Sequence, residues 1–142
     1  KHTGAPGSCF FCLWEGYGWL HGETPSVSPA LMSGIRSVSR VRLPGRDYIL
    51  FEGPLEAAAE PGWNLPDGCF VPQSPNLFWP QDHAWCVASE IDLFCTLIAC
   101  SEDLTADLLA DPRLEAWRVF PDDPVAADSD IINAGSMRYE AS

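Results

Sequence analysis

Cys9-Phe-Phe-Cys12 is the most recognisable short motif in this 142-residue chain, and two thiols at that spacing suit either redox exchange or half of a zinc site. A redox pair should precede a helix whose N-terminus lowers a thiol pKa. Here both intervening residues are Phe and Leu13-Trp14-Glu15-Gly16 follows, so a thioredoxin-like role lacks its setting. As zinc ligands Cys9 and Cys12 need a second pair, and Cys95 with Cys100 has an admissible spacing for a tetrahedral thiolate site closing two loops. Both pairs lie in apolar, strand-like runs rather than in knuckle turns with glycine and polar neighbours. Buried reduced thiols are therefore the favoured reading, a structural zinc module is the alternative, and no cofactor is expected.

Glu90 and Asp92 form the other chemically suggestive pair. On a strand rising about 3.3 Å per residue they project from one face roughly 6 to 7 Å apart, a spacing usable by an acid and base pair or a hard cation. His83 beside Asp82 is the nearest titratable companion, but neighbours in an extended chain point in different directions and are not by that fact a couple. A small metal-dependent or hydrolytic enzyme built on Glu90, Asp92 and His83 is thus an alternative, while the exposed face of a half-buried strand is the favoured reading. No Gly-x-Ser-x-Gly elbow, phosphate loop or Gly-x-Gly-x-x-Gly is present. A binding role is preferred to an enzymatic one.

The elements that must position these residues centre on 74–120, read as strand, helix, strand. Residues 84–92 alternate, placing Trp85, Val87 and Ile91 toward a core and Cys86, Ala88, Glu90 and Asp92 on the other face. Ser101 is an N-cap, Glu102 and Asp103 suit the positive end of a helix dipole, Leu104, Leu108 and Leu109 form a stripe, and Asp111-Pro112 ends the helix. Leu114 to Phe120 then reads as a mostly buried strand stopped by Pro121. Upstream, Cys9 to Trp14 is an aromatic strand. Val38 to Leu43 and Tyr48 to Glu52 flank Pro44-Gly45-Arg46-Asp47 as a hairpin. Pro54 to Glu60 predicts one or two helical turns, the prolines from Pro61 to Pro80 preclude any long element, and 21–36 reads as loop with some disorder.

These elements predict an α+β fold: a mostly antiparallel sheet from 9–14, 38–43, 47–52, 84–92 and 114–120, with one short helix, about 101–110, packed on it and many Pro/Gly-rich loops. An all-β barrel is second. The length fits a single domain over 1–142, ending in an acidic, loosely ordered tail at 121–142 where Asp128-Ser-Asp130 fails the calcium-loop pattern. The opening Lys-His-Thr-Gly resembles the end of a helix, which predicts a further N-terminal segment and makes this the C-terminal part of a longer chain.

Lys1 and seven arginines oppose twenty acids, and a net charge of −12 repels polyanions, which excludes nucleic acid and anionic membrane as partners. No run approaches the roughly 18 apolar residues of a membrane span. With Cys9, Cys12, Cys86, Cys95 and Cys100, five of the six cysteines, inside apolar runs, the chain reads as soluble, reduced and cytoplasmic. Among six tryptophans, those beside Pro or Gly, namely Trp19, Trp63 and Trp79, are the kind that anchors a protein interface; Trp85 is expected in the core and Trp79 at the surface, with Asp82 next to it. Charge and rings together predict an intracellular acidic protein-binding domain, of the immunity or antitoxin kind, facing a basic partner.

Cys9-Phe-Phe-Cys-Leu-Trp-Glu-Gly-Tyr-Gly-Trp19, Leu43-Pro-Gly-Arg-Asp-Tyr48 and Ser74-Pro-Asn-Leu-Phe-Trp-Pro-Gln-Asp-His-Ala-Trp-Cys-Val-Ala-Ser-Glu-Ile-Asp92 together resemble a family of uncharacterised small bacterial proteins. The resemblance runs from about residue 2 to 133. It implies a common fold and an additional N-terminal segment, and it brings no known activity. Where that family tends to show a Thr-Tyr-Val-Gly-Gly turn, this chain has Thr96-Leu97-Ile98-Ala99-Cys100.

Overall fold

A computed structural model describes residues 1–21, 38–93 and 95–125 of the chain. All but the first residue of the expected loop at 21–36, and most of the acidic tail at 121–142, lie outside them. The strands are β1 (Cys9–Trp14), β2 (Arg40–Leu43), β3 (Arg46–Gly53), β4 (Gly62–Asn64), β5 (Phe70–Pro72), β6 (Leu77–Pro80), β7 (Trp85–Ser89) and β8 (Thr96–Cys100). Among the described residues one α-helix, α1 (Glu102–Ala110), follows β8, and short 3-10 helices span Gly18–His21 and Leu55–Ala59. Six strands form one antiparallel sheet in the order β2-β3-β1-β6-β7-β8, and β4 pairs with β5 as a separate ribbon. The fold is α+β with sheet predominating; an open sheet with two edges replaces the barrel alternative.

β1 is interior because its composition demands it. A run of aromatic and apolar residues without alternation cannot keep one face wet, so it must be covered on both faces and flanked on both sides. It pairs with β3 from Cys9 opposite Gly53 to Trp14 opposite Tyr48, and with β6 from Cys9 opposite Pro80 to Cys12 opposite Leu77. Cys9, Phe11 and Leu13 on one face, and Cys12 on the other, are all buried. Leu13 and Ile49 pack with Trp19 and Leu20 from the first 3-10 helix, and Trp63 of β4 closes the same cluster.

The β2–β3 hairpin forms where Pro44-Gly45 predicts it, with Leu43 opposite Arg46 and Gly45 at φ +80, the left-handed value that the third position of a type II turn requires. Ser101 caps α1, its hydroxyl accepting from the Leu104 amide at 3.3 Å. The helix leans on the sheet less than its stripe predicts: Leu104 and Leu108 are half-buried, Leu109 is 45 % exposed, and no residue of α1 is fully buried. It is also tied to the N-terminus, where the Lys1 ammonium and the His2 ring both meet the Asp107 carboxylate at 2.6 Å.

Two expectations fail around β7. The strand ends at Ser89, so Ile91 lies in the following turn, 41 % exposed, instead of in the core. Leu114 to Phe120 is not a strand; it is irregular, with Leu114, Trp117, Val119 and Phe120 all exposed. The place beside β7 is taken by β8, which needs only a local hairpin connection. Closing that short loop costs less chain entropy than bringing 114–120 back across a helix. The proline-rich stretch contains no long element, as expected, yet β4, β5 and β6 fit between its prolines, with Pro72 and Pro80 as terminal strand residues.

Candidate functional site

At one end of the sheet, the residues following β1, the β2–β3 turn and the turn after β7 converge on Arg46. Its guanidinium carbon lies 4.8 Å from the centroid of the Trp14 ring, and its Nη2 reaches Glu90 Oε1 at 2.9 Å and Asp92 Oδ2 at 2.5 Å. Gly16 makes room for Trp14, since a Cβ at that position would overlap the indole. Glu15 forms a two-pronged pair with Arg40, Nε to Oε2 at 3.2 Å and Nη2 to Oε1 at 3.1 Å. A shallow, open groove of about 470 Å³ runs between Trp14, Glu15, Leu43, Arg46 and Asp47. Burial, then the nearby Glu90 carboxylate, pushes the Tyr48 phenol up.

This geometry does not suit acid–base chemistry by the expected trio. Glu90 and Asp92 each meet Arg46 through one oxygen, and the third member of the trio lies elsewhere. His83 sits in the turn before β7, at φ +55 with its amide donating to the Pro80 carbonyl, while Glu90 follows the other end of that strand. Seven residues of extended chain place the two roughly 20 Å apart. The structure therefore separates His83 from Glu90 and Asp92, and the enzyme alternative loses its constellation.

The zinc alternative fails on sheet order. Cys9 and Cys12 are on β1, Cys95 precedes β8 and Cys100 ends it, with β6 and β7 between. Three inter-strand steps of about 4.8 Å separate the pairs by roughly 14 Å, against a Zn–S bond of about 2.3 Å. Cys9 and Cys12 also point to opposite faces of β1. Burial, with Cys86 nearby, pushes the Cys12 thiol up to about 12, and burial raises Cys9 and Cys86 too. Among the described residues no group of three or more His, Cys, Asp or Glu is placed to hold a metal ion.

The tryptophans expected at an interface are mostly packed. Trp19 is only 8 % exposed and stacks on half-buried Trp63 at 5.9 Å, so Trp19 belongs to the core and not to a surface. Glycine beside a ring proved a mark of close packing here rather than of display. Trp79, on interior strand β6, stacks on Phe10 at 5.7 Å and is half-buried; Trp85 meets the Phe78 edge at 5.6 Å on the opposite face and is half-buried as well. Asp82 fastens the N-terminal residues, accepting from Thr3 Oγ1, the Gly4 amide and the Ala84 amide. Desolvation opposes its ionisation, but the Gly4, Thr3 and Ala84 bonds prevail and hold the carboxyl below the usual range.

The structure brings forward features that the residue pattern did not single out. Asn76, 5 % exposed, accepts from the Trp14 amide at 2.8 Å and donates to Tyr17 Oη and the Ser89 carbonyl, joining β1, the turn before the first 3-10 helix and β7. Each of Lys1, Arg40, Arg42, Arg46, Arg113 and Arg118 lies within 4.0 Å of a carboxylate of the same chain. The surplus of acids and the proximity of several in sequence, as in Asp111 with Arg113, were the available signals. No helix among the described residues is long and apolar enough to cross a membrane. In comparisons with known proteins the chain matches no family model, no curated protein and no solved structure.

Proposed function

We propose that this chain is an acidic, bacterial protein-binding domain of the cytoplasm, of the immunity or antitoxin kind, that engages a basic partner protein. The observation that carries this reading is the internal pairing of the described cations, each of which already meets a carboxylate of its own chain. With a net charge of −12 the outward field is negative, and further attraction is to cations brought by a partner. Exposed Leu114, Trp117, Val119 and Phe120, followed by Asp122 and Asp123, add apolar area beside carboxylates, the mixture that a protein interface uses. The six cysteines are free thiols, which agrees with a reducing compartment.

Affinity capture from the source cytoplasm, followed by titration with the purified captured protein, tests this. The expected partner is basic, and its affinity should fall by tenfold or more when salt is raised from about 0.05 to about 0.5 M, as charge attraction is screened. Affinity that is indifferent to salt, or a captured set without basic proteins, would overturn the proposal.

A further inference from the structure

We infer that the outer edge of β8 is the binding edge, and that it takes an extended, cation-bearing segment of the partner as a seventh strand; this rests on the reading of a basic partner. β8 ends the sheet, and its pairing among the described residues runs only to β7, from Trp85 opposite Cys100 to Ser89 opposite Thr96. The two sheet edges differ in a telling way. β2 carries Arg40 and Arg42, the charged side chains that keep an edge from recruiting another strand. β8 reads Thr-Leu-Ile-Ala-Cys, with no charge, proline, glycine or bulge over five consecutive pairs, and it exposes Thr96, Ala99 and Ile98, the last at 40 %.

An uncharged, regular edge offers backbone amides and carbonyls spaced for a new ladder, and alternate side chains of an incoming strand then select it. Charge selects the occupant. A second copy would set −12 against −12 and is disfavoured. After β8, Glu102 and Asp103 follow in the first turn of α1, with Arg118 on Glu102, while Glu90 and Asp92 in the turn before it are held by Arg46 of β3. A segment that alternates apolar residues with Lys or Arg lays its apolar side against Ile98, and its cations meet the negative field of the chain, Asp103 included. Five residues of edge accommodate a segment about 17 Å long.

The probe is a synthetic eight-residue peptide alternating lysine and valine, compared with the same peptide methylated on alternate backbone nitrogens, which keeps charge and composition but cannot complete the ladder. The expected result is at least tenfold weaker binding of the methylated peptide, together with at least tenfold slower hydrogen exchange of β8 amides under the unmethylated one. Leu97→Pro and Ile98→Pro are made separately, since of two adjacent residues one amide faces β7 and the other faces outward. The variant that retains its melting midpoint should lose the peptide. Equal affinity for both peptides, without β8 protection, overturns edge pairing and leaves charge attraction standing. If neither peptide binds at low salt, the basic-partner reading falls and this inference with it.

Discussion

The Arg46 guanidinium lies over the Trp14 ring at 4.8 Å while its Nη2 holds Glu90 and Asp92, so a single side chain ties three loops at one end of the sheet. Its guanidinium satisfies both the ring face and the carboxylates, a combination that lysine reproduces poorly. Arg46→Ala should cost about 1 to 2 kcal/mol, and Arg46→Lys should recover less than half of that. Urea midpoints of the two variants measure it. Loss confined to the ion pairs would instead appear equally in Glu90→Gln, which is expected to cost under about 1 kcal/mol because such pairs are partly solvated.

Trp79 and Trp85 provide a second comparison. Both rings are half-buried, on opposite faces of interior strands, each against a phenylalanine. Pro80 beside Trp79 predicts a surface ring, but register with β1 puts Trp79 opposite Phe10. Trp79→Ala and Trp85→Ala should each cost roughly 2 to 4 kcal/mol. Near-equal shifts in denaturant midpoint are the expected outcome; a shift below about 0.5 kcal/mol for Trp79→Ala would return that ring to the surface.

Local signals made about half of this architecture legible. Pro44-Gly45 gives the β2–β3 hairpin, uninterrupted aromatics give β1, and Ser101 before Glu102-Asp103 gives the helix start, because turns, burial on both faces and caps are written in adjacent residues. β8 is a short apolar run, Thr96 to Cys100, whose composition suits a strand but whose partner and place at the sheet edge no local signal gives. The strand expected at 114–120 had the right composition but no available neighbour, and only topology decides that. The site was less legible for the same reason: the meeting of Arg46 with Glu90 and Asp92 depends on register across β3, β1, β6 and β7, and Trp19 is buried by β4, an element too short to leave a pattern.

Thiol reactivity should divide the cysteines by burial. Cys69 is exposed, whereas Cys9 and Cys12 are buried and desolvation pushes the Cys12 thiol up to about 12. Alkylation near neutral pH should label Cys69 first and Cys9 and Cys12 only after unfolding. The sign at alkaline pH follows from linkage: a thiol raised in the folded state binds its proton more tightly there than when unfolded. Its contribution is full below about pH 8.5 and is lost as pH rises toward about 12. Cys12→Ala should flatten that alkaline loss, read by thermal melts across the window.

Asp82 gives the opposite sign. Its folded carboxyl is held below the ordinary range by hydrogen bonds from Gly4, Thr3 and Ala84, which outweigh desolvation. A depressed carboxylate contributes stability above the unfolded value and loses it as pH falls through the folded one, so the window opens at about pH 4 and extends downward. Protonation should release Thr3 and Gly4. The protection of the Gly4 amide, its exchange relative to the intrinsic rate at each pH, should fall over that window in the native chain and be low at every pH in Asp82→Ala; protection that the substitution leaves unchanged would remove Asp82 as the fastener.

Asn76 carries the most stringent expectation. Its side chain is buried, with Oδ1 accepting from the Trp14 amide and Nδ2 donating to Tyr17 Oη and the Ser89 carbonyl, while its own backbone pairs with Cys12 and Ser89. Truncation therefore leaves a donor on β1 and an acceptor on β7 without partners in a site closed to water, and the penalty comes mostly from those orphaned groups. Asn76→Ala should cost about 2 to 4 kcal/mol, and Asn76→Asp at least as much, since it keeps the acceptor but loses both donors and brings a charge inward. Gln73→Ala is the control: its amide donates to the same Tyr17 oxygen at 3.1 Å, yet also meets the Ser74 carbonyl on an exposed stretch, so about 1 kcal/mol or less is expected. Equilibrium denaturation of the three variants decides it, and Asn76→Ala falling level with Gln73→Ala would mean that water reaches the junction and that the three elements are joined by packing alone.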